Sequence, residues 1–117
     1  MVDDDSAFVE AMAHVIKSAG YEAVVAYNGS DGLRSARDLM PALVFCDLSM
    51  PGLGGVEVLR ILRDDPATTH IPRVMMSGHV FQHLNGIAAH DFLPKPIVPS
   101  AVHRLLDQFV KRTDENN

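Results

Sequence analysis

Apolar positions along this chain follow two rhythms: helical spacing in some stretches and short unbroken apolar runs in others. Phe8, Met12, Val15, Ile16 and Ala19 recur on one helical face, which predicts a helix from about Ser6, with Ser6 as N-cap and Gly20 as the stop. Tyr21 to Tyr27, centred on Val24 and Val25, reads as a strand, and Asn28-Gly29 as a turn. Ser30 to Met40 predicts a second helix, with Leu33, Ala36 and Leu39 or Met40 facing inward and Pro41 preventing continuation. Ala42 to Asp47 is a continuous apolar run ending in a carboxylate, the habit of a strand buried on both faces. A glycine-rich loop from Met50 to Gly55 leads into a helix over Val56 to Arg63, with Val58, Leu59 and Leu62 inward. Arg73 to Met76 reads as a strand followed by Ser77-Gly78. Val80, Leu84, Ile87 and Ala88 step at the spacing of a fourth helix, and Asp91 to Leu93 is a brief strand. A last helix, Ser100 to Arg112 with Ser100 as N-cap, carries Val102, Leu105, Leu106, Phe109 and Val110 on one face.

Strands separated by helices force right-handed parallel crossovers, with helices on both faces of one sheet. Ligand sites in such sheets lie beyond the carboxyl ends of the strands. One element departs from the pattern: a strand before the first helix has only Met1-Val2 ahead of Asp3. A central strand so short implies either a start further upstream or a gap open to a partner strand.

The 117 residues suffice for one domain, expected over 1–112 with a polar tail at 113–117. Hydrophobic residues at 47% can fill one core, and charged residues at 21% do not favour disorder. Ten Lys and Arg against 15 Asp and Glu give a net charge of −5, which argues against direct nucleic-acid binding. The one cysteine, Cys46, excludes an internal disulfide and any CxxC motif, and its apolar neighbours predict a buried thiol. No apolar run approaches the ~20 residues of a membrane span, and the acidic N-terminus is unlike a signal peptide. A soluble, cytoplasmic protein without a membrane partner is expected. The six histidines show no metal-ligand spacing; His79 and His83 stand four apart, but no third ligand is evident and they read as surface positions.

Candidate chemistry gathers at the strand ends: Asp3 and Asp4, Asp47, Ser77, and Lys95 after the last strand. Carboxylates brought to one rim repel unless a cation neutralises them, and an all-oxygen set favours a hard ion such as Mg²⁺. A hydroxyl and an ammonium beside them suit phosphoryl oxygens. This is equipment for placing a phosphoryl group on a carboxylate.

Val2-Asp3-Asp4-Asp5, Asp47-Leu48-Ser49-Met50-Pro51-Gly52 with Gly55, Ser77-Gly78 and Phe92-Leu93-Pro94-Lys95-Pro96, in this order and at these strand ends, resemble the receiver domains of two-component response regulators. The resemblance covers the chain after Met1. It implies a flavodoxin-like doubly wound five-stranded parallel sheet of order 2-1-3-4-5, here with an unusually short first strand. It implies a signalling module rather than an enzyme: Asp47 accepts phosphate from a sensor histidine kinase or a histidine phosphotransfer protein. Asp4 would ligate Mg²⁺ (or Mn²⁺) directly, Asp3 through water, with Asp47 and the Ser49 carbonyl completing the protein ligands. Lys95 would pair with Asp47 and then with the phosphoryl group, Ser77 would hydrogen-bond it, and Phe92 would be the aromatic switch. The Lys95-Pro96 bond is expected cis. The switched face would bind a downstream protein or a second copy.

Departures from the family pattern are Gly54, where an acidic residue is common, and the 18 positions from Ser77 to Lys95, about one helical turn (~4 residues) short. The fourth helix is therefore expected to be short or irregular. Ser49 and His79 fall at positions that tune the phosphoryl lifetime. The alternative reading is a degenerate receiver that binds partners without phosphorylation. A haloacid-dehalogenase-like phosphatase would want a second Asp where Ser49 stands, and a dinucleotide fold lacks the final glycine of its fingerprint.

Overall fold

The computed structural model describes residues 1–48, 50–78 and 88–110. Its elements are α1 (Ser6–Ser18), α2 (Gly29–Leu39), β1 (Val44–Asp47), α3 (Gly55–Asp64), β2 (Arg73–Ser77), β3 (Asp91–Pro94) and α4 (Pro99–Phe109). Strands β1, β2 and β3 form a parallel sheet in that order. Val44 is paired with Arg73 and Asp47 with Met76, then Val74 with Asp91 and Ser77 with Pro94. Val2 bridges in parallel to Cys46 on one side and to Ala26 on the other. The extended segments therefore lie in the order 26, 2, β1, β2, β3, which is the 2-1-3-4-5 arrangement expected.

Period-two alternation sorts the sheet residues onto two cores. Val44, Cys46 and Met75 join Leu33, Ala36, Val58, Leu59 and Leu62 beneath α2 and α3. Phe45, Val74 and Met76 join Met12, Ile16, Val102, Leu105 and Leu106 beneath α1 and α4. All four residues of β1 and all five of β2 are buried, as the unbroken apolar runs require. Cys46 is fully buried, and burial, with Asp47 next in weight, pushes its thiol up to about 12. Among the described residues, no helix is long and apolar enough to cross a membrane.

Several local expectations are corrected. The N-cap of α1 is Asp5, not Ser6: its carboxylate accepts the Phe8 N–H at 3.2 Å. A carboxylate at this position also suits the positive end of the helix dipole. The buried face of α1 is Val9, Met12, Ala13 and Ile16, one position round from the expected stripe, leaving Phe8, Val15 and Ala19 partly buried at its edge. Asn28 caps α2. Its inward face ends at Ala36, and neither Leu39 (58% exposed) nor Met40 (43%) points inward. Leu39 is the last helical residue, and Met40 is left-handed at φ 47°. The last helix starts at Pro99 with Val98 as N-cap and no side-chain cap, because proline pre-sets the first turn and Ser100 already lies within it. The last helix ends at Phe109, short of the expected Arg112, because the backbone turns extended at Val110 (φ −113°). The expected fourth helix from Val80 to Ile87 and the polar tail fall outside the described residues.

The expected strand Tyr21 to Tyr27 pairs only at Ala26. Its N–H donates to the Met1 carbonyl at 2.8 Å, and its carbonyl accepts from Asp3 N at 3.1 Å. The Met1 amine reaches back to the Val24 carbonyl at 2.8 Å, and burial lowers its pKa to about 6. Beyond Met1, a cavity of about 400 Å³ separates this segment from β1, lined by Val24, Leu39, Leu43, Phe45 and Leu106.

Candidate functional site

The parallel connections carry the carboxyl end of each extended segment to one rim. Asp3 follows the Val2 bridge, Asp47 ends β1, Ser77 ends β2, and Lys95 follows β3. One carboxylate oxygen each from Asp3, Asp4 and Asp47 lies within 4.8 Å of the others. Asp3 is fully buried and Asp47 nearly so, whereas Asp4 is exposed. Lys95 Nζ donates to Asp3 Oδ2 at 2.8 Å and lies 3.2 Å from Asp47 Oδ1. The other Asp3 oxygen, Oδ1, accepts the Asp5 N–H at 3.0 Å. Asp3 thus ties the first turn of α1 to the lysine.

Asp47 ionises against resistance. Burial contributes most to raising its pKa, the Asp3 charge adds to this, and Lys95 opposes both. For Lys95, burial alone would lower the pKa, but the hydrogen bond and charge of Asp3 and the charge of Asp47 outweigh it and hold the ammonium above its ordinary value. The two groups therefore stabilise each other's charged form, in a rim where like charges would otherwise repel.

The loop after β1 closes tightly on the site. Gly55 N donates to the Leu48 carbonyl at 3.1 Å. A Cβ at Gly55 would run into the Asp47 carbonyl and the Leu48 backbone, so no larger residue fits at the start of α3. Ser77 is buried, and its carbonyl accepts the Lys95 N–H at 2.8 Å, which fixes the lysine backbone to the end of β2. The Lys95-Pro96 bond is cis, as expected.

Of the residues singled out in the sequence, Asp3, Asp4, Asp47 and Lys95 come together, with Ser77 at the next strand end. Phe92 stands apart from the acidic cluster. It is half-buried on β3, opposite Met75 in register and packed on the core beneath α2 and α3. Ser49 and His79 lie outside the described residues.

One participant escaped the sequence analysis. The Phe8 ring, placed on the core face by periodicity, lies 4.2 Å from Lys95 Nζ at its centroid. Away from the site, at the start of β2, the exposed His90 accepts the Arg73 N–H on Nδ1 at 3.0 Å and meets the Phe109 ring edge-on. Periodicity reports which face is apolar and not what sits above a ring. The only signal for Phe8 is Asp5 three residues earlier, whose cap fixes the turn that carries it.

Comparison with known proteins agrees with the geometry. Residues 1–107 match the family model of the response regulator receiver domain. The chain is 30% identical over 119 residues to the DNA-binding response regulator MtrA of Mycolicibacterium paratuberculosis, covering 98% of this chain and 52% of MtrA. It is 37% identical over 102 residues to the response regulator PleD of Caulobacter vibrioides, covering 83% of this chain and 22% of PleD. The chain thus spans about half the length of MtrA and less of PleD. The receiver domain of the sensor histidine kinase PA1611 of Pseudomonas aeruginosa, solved with magnesium in its active-site cleft, superposes with a TM-score of 0.84. That match is 20% identical and covers 92% of each chain, so it bears on the fold alone. On the family match, with the sheet order and the acidic rim in agreement, this chain belongs to the response regulator receiver domains of two-component signalling, a family of signalling modules rather than metabolic enzymes.

Proposed function

We propose that this domain accepts a phosphoryl group on Asp47 and relays it as a change of shape. The observation that carries the reading is the convergence of three carboxylates within 4.8 Å with an ammonium 3.2 Å from one of them. The donor set fits a hard divalent cation: it is all oxygen, contains no thiolate or imidazole, and has one exposed member open to solvent. Asp4 would ligate Mg²⁺ (or Mn²⁺) directly and Asp3 through water, with Asp47 and the Ser49 carbonyl as the other protein ligands. When bound, the ion neutralises charge on the transferring phosphoryl group.

The chain's own residues supply the rest. An Asp47 carboxylate oxygen attacks phosphorus in line. The P–N bond of a phosphohistidine donor breaks, and its electron pair stays on the imidazole nitrogen, which takes a proton from water. Asp47 enters ionised, so it has no proton to lose. Lys95, freed from the Asp47 carboxylate, pairs with the phosphoryl oxygens, and the Ser77 hydroxyl donates to another. Phosphorylation replaces one charge by about −1.5 to −2, which draws both groups inward, and Phe92 repacks as β2 and β3 adjust.

The donor would be a sensor histidine kinase or a histidine phosphotransfer protein in the cytoplasm, and the changed face would bind a downstream protein or a second copy. The domain would run over 1–112, with 113–117 as a tail.

The test is intact mass after incubation with Mg²⁺ and acetyl phosphate. A gain of one phosphoryl group, lost in Asp47→Asn and in EDTA, is expected. A folded sample that gains nothing would favour a phosphorylation-independent binding module.

A further inference from the structure

The geometry points to Phe8 as a positioning residue: its ring face holds the Lys95 ammonium at the acidic cluster when Asp3 is engaged elsewhere. The inference rests on the phospho-acceptor reading for its consequence, but the contact itself does not. Among the described residues, Lys95 Nζ meets Asp3 Oδ2 at 2.8 Å, Asp47 Oδ1 at 3.2 Å and the Phe8 ring at 4.2 Å from its centroid. The first two belong to the carboxylate cluster that would receive a cation. An Asp3 oxygen that accepted from a cation-bound water would be lost to Lys95, and the like charges of cation and ammonium would repel. The ring face attracts an ammonium through its quadrupole and offers a hard divalent ion no oxygen ligand, so the two do not compete for it.

The ring is built to stay where it is. Phe8 is partly buried against the core beneath α1 and α4, so one side is fixed by apolar packing. Its backbone N–H is held by the Asp5 cap, and Asp5 N is held by Asp3 Oδ1. The same carboxylate that binds Lys95 thus sets the turn that carries Phe8. Without the ring, a lysine released from Asp3 would swing out to solvent, because its side chain already keeps 22% exposure.

The first readout needs no phosphorylation. In protein with ¹³C-labelled lysine, the Lys95 ε-methylene protons are expected upfield from ring current, and upfield they should remain at saturating Mg²⁺. Phe8→Leu, which keeps apolar volume, should return them to the ordinary lysine position, and Phe8→Tyr should not. Lys95 protons at the ordinary position in the unaltered protein, or moving there with Mg²⁺, would overturn the inference.

The second readout is the acetyl-phosphate rate. Phe8→Leu should lower it about threefold to tenfold, Phe8→Tyr should restore it, and in a Lys95→Met background Phe8→Leu should add nothing. An equal loss in that background means Phe8 only supports the fold and also overturns the inference. If the upfield shift persists while the protein takes up no phosphoryl group, the phospho-acceptor reading fails and the ring–ammonium contact stands.

Discussion

Asp47 is charged at the expense of the fold that holds it. Burial and the neighbouring Asp3 raise its pKa above 3.8, and Lys95 only partly offsets them. Between 3.8 and that raised value the native state binds the proton more tightly than the unfolded chain does. This group's contribution to stability is therefore greatest at low pH and is lost as pH rises through the native value. Asp47→Asn removes the penalty, so in metal-free protein it should melt a few degrees higher at neutral pH. The gain should shrink as pH falls toward about 4. Thermal melts of both proteins in EDTA across this range check the sign, and a variant that melts lower throughout would mean that the Lys95 pair outweighs burial. Asp47 was legible in the sequence because a parallel strand can only end where its apolar run ends. The ring above Lys95 was not, since it joins residues on α1 and after β3 that no local pattern relates.

At the scale of elements, the apolar pattern located each described helix to within a few residues but misjudged how helices begin. Ser6 and Ser100 have capping side chains, yet Asp5 and Val98 hold the N-cap positions. In the first case a carboxylate one residue earlier already satisfies the Phe8 N–H, and in the second proline at the first turn makes a side-chain cap unnecessary. The strand over 21–27 was misjudged for a different reason. A ladder needs a partner strand, and the segment Met1 to Asp3 bonds only Val24 and Ala26 of it. The hydrogen bonds show what a longer partner would meet: Val2 bonds Phe45 and Asp47, whereas Met1 and Asp3 bond Ala26. By that alternation the N–H groups of Phe45 and Val24 face the cavity of about 400 Å³. Adding Leu-Val-Ile ahead of Met1 should extend both ladders and bury two or three apolar side chains, each worth about 1.5–3 kcal/mol. A rise in Tm of roughly 10 °C is expected, allowing for the ordering of the added residues. A Ser-Gly-Asn extension should give none. Equal melting of the two would show that the cavity accepts no strand.

For the whole molecule, the decisive balance is charge. The domain carries −5, and within that total the rim gathers three carboxylates against one ammonium. Two sources of repulsion are superimposed, one spread over the surface and one focused where the strands end, and a cation relieves them differently. General screening depends on ionic strength alone. A site depends on ion identity and on the carboxylates that form it. Mg²⁺ at a hundred times its dissociation constant should stabilise the native state by about 2.7 kcal/mol, or roughly 10 °C in Tm for a domain of this size. Sodium chloride at matched ionic strength should give only a small part of that. Asp4→Ala is the informative variant, because Asp4 is exposed and its loss disturbs no core packing. It should remove most of the magnesium-specific rise while leaving the sodium response unchanged. If sodium and magnesium raised Tm equally, or if Asp4→Ala left the magnesium rise intact, the rim would be a screened acidic patch, and the case for metal-assisted phosphorylation at Asp47 would lose its electrostatic basis.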